Sequence, residues 1–549
     1  MLLRIFLTAI FLATGALAQT SSFPKPDYFR EVWRQTSTRV ELRAPARLKD
    51  FVASGKIELS LRDYLELVMA NNTDVQVTFL SVETPKNNIT LAYGVWDPVA
   101  SASFSSARST AVPTNPANSN TAALGAITKN LTQPLQLSYT QALDTGTSYT
   151  VTFNGNKTSS SNTRSSYNPS ISSNLQFSVS QNLLRGRSRY VNRIPVMQAQ
   201  STLRRSEFAL RASLLTWVNT AESAYWKAVN ARENVKVQEK ARATSKANLD
   251  FVQKQLDLGA VSPLDIFNPQ GQLASADLSL SQARFTLAQT EDAVRHQIGV
   301  DLDPQLRSMP LELTEPVDIS TERMDLDSEK AVLRALDNNP NVKAALQALD
   351  IDDLGIQGYN DALRPQLTFT GTYTSAGQGG IYNASQSTLF GATSEVIPGG
   401  LGDALSQMFG FGYPTYLGRL TLTLPIRSRT ASMNLANAVV TKKNDALTLR
   451  NVQQNTRLNV LNAMSTVKGA IESLRLARTQ EDLQHKNYDA EVLKYQLGTD
   501  INQNVVIALQ NWVVAQSSVV TAQVNLRTSI LNLYTQTGEL LDQRGIIVK

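Results

Sequence analysis

The chain has 549 residues, a formal net charge of +6, two histidines and no cysteine. The missing thiols exclude disulfides, thiolate metal sites and a lipid-modified cysteine anchor. The small basic excess is spread along helical faces and argues against a nucleic-acid partner. His296 and His485 both fall in helical contexts, which leaves no supported catalytic, cofactor-binding or metal-ligating constellation.

The amino terminus reads as an export signal over residues 1–18. Arg4 is the charged segment, Ile5 to Leu17 the apolar one, and Ala16-Leu17-Ala18 a small-x-small cleavage site. Residues 19–56 form an extension that contains Phe23-Pro24-Lys25-Pro26. Beyond it no apolar run approaches the ~20 residues of a membrane span. Val505 to Val524 comes closest, interrupted by Gln510, Asn511, Gln516, Ser517 and Ser518. A membrane protein without a spanning helix has to cross as a closed β-barrel.

Residues 71–104 recur at 338–371. A shift of 267 carries Asn71-Asn72 onto Asn338-Asn339, Val75 onto Val342 and Pro98 onto Pro365. A second shift, of 239, carries Gly259 onto Gly498, Asp265 onto Asn504, Gly299 onto Gly538 and Leu302 onto Leu541. Two ordered matches imply a tandem duplication, with a period too long for a solenoid. The repeats fall at 57–302 and 328–541, joined by a proline-bearing connector, 303–327, and followed by a tail, 542–549. The difference between the shifts gives the first copy 28 more residues between its proline and its glycine.

Short alternating segments predict strands at 100–104, 175–179, 367–371 and 420–424. The apolar member of each pair suits lipid, and Ser, Thr and Gln suit a wet lumen. Two more candidates, Leu135 to Tyr139 and Ser148 to Phe153, are joined by Ala142-Leu143-Asp144-Thr145-Gly146 and account for the longer first copy. Polar loops are expected at 112–130, 156–170 and 375–416. Val191 to Gln255 and Ser432 to Gln496 are helix-forming stretches. Each carries a coiled-coil seam, Leu214, Val218, Ala221, Tyr225 and Ala228 in the first and Val460, Met464, Val467, Ile471 and Leu474 in the second. At ~1.5 Å per residue, ~60 residues make a rod of about 90 Å. Each rod ends at a glycine, Gly259 or Gly498, and a second helix returns to about Ile298 or Thr537.

These pieces, with Arg364-Pro365-Gln366-Leu367 before a strand and Leu183-Leu184-Arg185-Gly186 after one, resemble the TolC-like outer membrane efflux protein family. The resemblance covers about residues 57–541. It implies a mainly α fold with a membrane β-barrel, built from tandem-duplicated helix–strand–strand–helix protomers. Three protomers would form one β-barrel in the bacterial outer membrane, continuous with a long periplasmic α-barrel. Four strands per protomer are usual in the family, so the extra hairpin is a departure. The implied function is a passive exit duct of a tripartite efflux or secretion system, without enzymatic activity or cofactor. Its partners would be outer-membrane lipid, a periplasmic adaptor protein and an inner-membrane transporter. A periplasmic coiled-coil adaptor, or a structural coiled coil without a pore, is the competing reading.

The resemblance also assigns the tips. Gly259, Ala260, Val261, Gly498 and Thr499 would dock the adaptor. The periplasmic gate would comprise Asp265, Tyr495, Asp500, Asn504 and Ile507, with a Tyr495–Asp265 hydrogen bond as latch. Here Asp500 stands where the family has an arginine, and Asn504 and Ile507 stand where it has two aspartates. The implied gate is therefore modestly locked, with Asp500 as the remaining candidate for cation selectivity.

Overall fold

The computed structural model describes residues 51–53, 56–111, 127–161, 165–300, 307–317, 327–383, 396–397 and 399–547. The expected signal peptide, most of the extension and most of the expected 112–130 loop lie outside the described residues. In chain order the elements are β1 (Val52–Ala53), β2 (Lys56–Leu59), α1 (Leu61–Asn71), α2 (Thr73–Leu80), α3 (Glu83–Tyr93), β3 (Val99–Phe104), β4 (Ala107–Ala111), β5 (Thr128–Ala142), β6 (Thr147–Ser160), β7 (Tyr167–Asn182), α4 (Arg189–Asn192), α5 (Ile194–Asp257) and α6 (Phe267–Gln297). After β8 (Leu311–Leu313) follow α7 (Ser328–Asn338), α8 (Pro340–Ala362), β9 (Gln366–Asn383), β10 (Val396–Ile397), α9 (Leu401–Phe409), β11 (Pro414–Thr423), α10 (Arg429–Gln496), α11 (Asn502–Thr537) and α12 (Leu540–Gln543).

The two rods are α5, of 64 residues, and α10, of 68. Helix α6 packs back along α5, and α11 along α10. The first predicted seam is buried throughout, from Leu214 to Ala228; in the second, Val460, Met464, Val467 and Leu474 are buried and Ile471 is half-buried. One expectation needs correction. Helix α11 is long and apolar enough to cross a membrane. It lies against α10 instead, with Val505, Leu509, Val524, Leu526 and Leu531 buried. Its apolar residues serve helix packing.

The upper ends of the two hairpins are held in the same way. Asn72 accepts from the backbone N–H groups of Asp74 and Val75, at 2.9 and 3.2 Å, and its amide donates to the Gln297 carbonyl at 3.1 Å. Asn339 accepts from Asn341 N–H at 2.9 Å and donates to the Gln536 carbonyl at 3.2 Å. One side chain thus caps a helix start and ties it to the end of the returning helix. Gly299 and Gly538 end those helices at φ of 72° and 77°. A Cβ on Gly538 would come within 3.1 Å of the Asn338 carbonyl oxygen, so both conformation and space select glycine there.

Halfway along the rods a small sheet, in the order β1-β2-β8, wraps the helices. Strand β2 runs parallel to β8, with Ile57 opposite Leu311 and Leu59 opposite Leu313. The stretch 303–327 is therefore more than a connector. The Tyr225 hydroxyl donates to the Leu59 carbonyl at 3.1 Å and accepts from Glu315 N–H at 3.3 Å, which pins the sheet to α5. Beside it the tail folds back. Arg544 makes a two-pronged ion pair with Glu222, 2.8 Å from Nε to Oε2, and Glu222 is only 1% exposed.

At one end of the rods the strands form one antiparallel sheet, in which β3 and β4 share an edge with β5 and the order continues β5-β6-β7-β9 to β11. The added hairpin β5–β6 is thus built into the plane of the sheet. Two loop expectations fail here. Segment 156–170 is mostly the ends of β6 and β7, and 375–416 holds the end of β9 and helix α9. Ser, Asn and Thr suit the polar sheet face as well as they suit a loop, so composition misled.

Register separates the two faces. Ala102, Leu137, Phe153, Leu175, Phe369, Tyr373 and Leu420 fall on one side. Ser101, Ser138, Thr152, Gln176, Thr374 and Thr421 fall on the other.

Removing one partner of a buried ion pair leaves an uncompensated charge. Arg544→Met should cost about 3 kcal/mol, the low end of the usual range because the arginine is partly exposed. Glu222→Gln combined with Arg544→Met should recover part of that loss in thermal unfolding. Equal melting of Arg544→Met and the parent protein would show that the tail contributes nothing.

Candidate functional site at the helical tips

The end of the rods opposite the sheet carries the predicted site. Helices α5 and α10 stop at Gly259 and Gly498, both left-handed, at φ of 75° and 71°. The closures are equivalent. Ala260 N–H donates to the Gln255 carbonyl at 2.9 Å, and Thr499 N–H to the Lys494 carbonyl at 3.0 Å. This six-to-one bond is the Schellman ending of a helix. A Cβ built on Gly259 or Gly498 meets no atom within 4 Å. Positive φ, and not crowding, selects glycine at both places. Ala260, Val261 and Thr499 follow on the same two turns, where Ala260 and Thr499 are exposed and Val261 is half-buried.

The expected latch is replaced. The Tyr495 hydroxyl donates to Gln255 Oε1 at 2.6 Å, not to Asp265. Asp265 instead accepts from Ser262 N–H at 3.0 Å within its own turn. Its charge still reaches the tyrosine: burial first, and Asp265 second, push the Tyr495 phenol above its ordinary value. Phe251, one turn before Gln255, packs edge-on against Tyr495 with ring centroids 6.1 Å apart. Nearby, Asn248 and Asn502 exchange amide hydrogen bonds of 3.0 and 3.3 Å. Further up, Gln510 donates to Gln272 at 2.7 Å and Ser517 to Asn234 at 3.0 Å. All four links join the first-copy hairpin to the second, and all are neutral.

Asp500 belongs to the turn before α11. Its carboxylate accepts from Ile501 N–H and from the Asn504 amide, both at 2.7 Å. The Ile501 N–H, foremost among its partners, holds this carboxyl below its usual range, so it stays ionised. Asn504 and Ile507 lie on the exposed side of α11 while Val505, Val506, Ala508 and Leu509 are buried. Gln255, Asn248, Asn502, Gln272 and Gln510 were missed by sequence reasoning. Gln255 could have been found, because it sits one turn from both Phe251 and Gly259 on the rod that faces Tyr495.

Above the tips a groove of about 1240 Å³ runs between the two hairpins. Gln272, Ser279, Ser473, Gln510, Ser518 and Asn525 are among its walls, and no charged residue lines it.

Long paired rods thus carry a two-faced sheet at one end and a hydrogen-bonded tip at the other. Residues 331–539 match the family described as outer membrane efflux protein. The fold is similar to the Campylobacter jejuni CmeC outer membrane channel, at 17% identity over 91% of this chain and 90% of that one, with a TM-score of 0.58. It is also similar to the open state of the Neisseria gonorrhoeae MtrE outer membrane channel, at 16% identity over 88% and 89%, with a TM-score of 0.58. The outer membrane protein VceC of Vibrio cholerae gives 11% identity over 87% and 96%, with a TM-score of 0.59. No curated protein is similar in sequence. The family match thus falls on residues 331–539, and over the described residues the fold is similar to that of these outer membrane channels.

The neutral latch sets expectations. A neutral hydrogen bond contributes about 1 kcal/mol net, so Tyr495→Phe should shift the closed–open balance about fivefold toward open. Gln255→Leu should do the same, and the double variant should add little. Because the phenol stays protonated, opening should vary little between about pH 6 and 9. Single-channel recording checks each, and unchanged conductance in Tyr495→Phe would remove the latch.

Proposed function

We propose that the chain is the outer-membrane exit duct of a tripartite efflux or secretion system. It conducts substrate passively, received from an inner-membrane transporter through a periplasmic adaptor. One observation carries this reading. The sheet is apolar on one face and polar on the other, and its outermost strands β3, β4 and β11 are exposed along their whole lengths. Unpaired strand edges in hydrocarbon are very costly. Pairing β11 of one protomer with β3 and β4 of the next satisfies both edges, and three copies close the wall. The apolar face then meets lipid and the Ser/Thr/Asn/Gln face lines the lumen.

Counting β3 and β4, which share one edge of β5, as one strand and setting aside the two-residue β10, each protomer gives six strands, and the proposed homotrimer an 18-stranded barrel. Barrels of ~16–18 strands leave an aqueous channel. The two rods of each protomer, with the helices α6 and α11 packed along them, continue the passage below. In this reading Tyr495, with Gln255 and Asp265 beside it, controls the periplasmic mouth, and Asp500, Asn504 and Ile507 face the opening. The left-handed turns at Gly259, Ala260, Val261, Gly498 and Thr499 present open backbone and small side chains to the adaptor.

Detergent-extracted protein should be a trimer, with 18 strands countable by electron cryomicroscopy, and should conduct in a planar bilayer. A monodisperse monomer with full helix content and no conductance would refute the assembly. Gly498→Glu should abolish export and adaptor binding while trimer and conductance persist. Transport that survives in this variant with adaptor binding unchanged would reduce the tips to helix caps. Asp500 is the one acidic side chain of the proposed ring, so polyvalent cations should block weakly. Tight block that Asp500→Asn abolishes would overturn this.

A further inference from the structure

The apolar face of the sheet changes character toward the end remote from the rods. Arg108 on β4, Lys129 on β5 and Lys157 on β6 all project from that face. Arg108 lies opposite Leu131, two residues along β5 from Lys129, and Lys157 lies opposite Gln133. Diagonal neighbours on adjacent strands stand about 7–8 Å apart, so Arg108 and Lys129 can grip one group between them. Lys157 stands one strand further on. All three are exposed, and among the described residues none forms an ion pair. Between residues 99 and 183 the sequence has a single carboxylate, Asp144. It sits at the opposite end of the sheet, 2.7 Å from Arg189 and 3.2 Å from Arg193.

Helix α9 covers another part of the same face. The Ser173 hydroxyl donates to the Ala404 carbonyl at 2.9 Å, and the Ser375 hydroxyl to the Met408 carbonyl at 2.6 Å. Gly377 makes room, since a Cβ there would lie 1.9 Å from the Ala404 oxygen. The helix therefore seats on β7 and β9 and leaves β4, β5 and β6 open. Strands β3, β5 and β6 carry Phe104, Leu135, Leu137 and Phe153 nearer the rods on this face. A cationic row directly above an apolar band, paired with no carboxylate among the described residues, matches an anionic headgroup layer above hydrocarbon.

We propose that Arg108, Lys129 and Lys157 form a docking surface for phosphate groups of outer-leaflet glycolipids. This rests on the lipid-facing assignment of the apolar face made above. The guanidinium takes two phosphate oxygens at once, and the two ammonium groups add point charges. Bound lipid fastens the outer rim of the barrel, at the strands the added hairpin contributes.

The full-length protein is reconstituted in vesicles containing a bisphosphorylated glycolipid or the same lipid with its phosphates removed. The parent protein should retain the phosphorylated form through detergent washing. Combined Arg108→Gln, Lys129→Gln and Lys157→Gln should weaken retention about 100-fold. Equal retention by this variant, equal retention of the two lipids, or displacement by inorganic phosphate alone would overturn the proposal. Ion selectivity in a planar bilayer separates it from the duct reading. Cations that face lipid leave selectivity unchanged when removed. A marked shift would place this face in the lumen and overturn the wall orientation as well.

Discussion

A strand edge cannot stay open in hydrocarbon. Each unpaired N–H or C=O group there costs several kcal/mol, and no water is present to take the bond. This constraint gives meaning to the sheet of a single protomer, which is two-faced but has exposed strands along both borders. Helices satisfy their own backbone and can be extended into water at will. In the proposed duct, a sheet of this kind is completed by copies of itself. The proposed assembly in this sense follows from the hydrogen-bond accounting of the strands.

The added hairpin alters the match between wall and rods. Strands about 4.8 Å apart and tilted by ~40° give 12 strands a perimeter of roughly 75 Å and 18 strands roughly 110 Å. Twelve helices, the two rods and two returning helices of each of three protomers, spaced ~9 Å apart have a perimeter of about 108 Å. In the proposed trimer, six strands per protomer therefore bring the membrane wall to the girth of the helical tube below it. Four would leave a narrower collar at the membrane. The polar face supports such a width: its strand positions are Ser, Thr, Asn and Gln almost throughout, with Arg419 the one charge among the described residues.

Much of this was legible in the sequence because it follows from periodicity. Seams spaced 4, 3, 4, 3 and strands alternating by two leave marks that survive without any structural knowledge. Asn72 and Asn339 were visible as matched positions, although their shared role, a cap tied to the returning helix, appears only in the structure. What failed shares a cause. The segments 156–170 and 375–416 were read as loops because Ser, Asn, Thr and Gly usually mark turns. On the wet face of a barrel strand the same residues are ordinary, and in β9 the glycines admit a helix backbone. Composition cannot separate water around a loop from water inside a pore.

The tip shows where a motif carried over from relatives runs out. Tyr495, Gly498, Thr499 and Asp265 all stand where the resemblance expects them, yet the hydroxyl turns to Gln255. With no arginine at position 500 to anchor a charged network, Asp265 finds a nearer partner in its own turn, the Ser262 N–H. The tyrosine then takes the neutral acceptor that Phe251 packing brings within reach. The contact is thus made through amides, as Asn248–Asn502 and Gln272–Gln510 repeat further along the same seam. Neutral bonds exchange for water at nearly equal free energy, so a seam built from them opens without desolvating or stranding a charge.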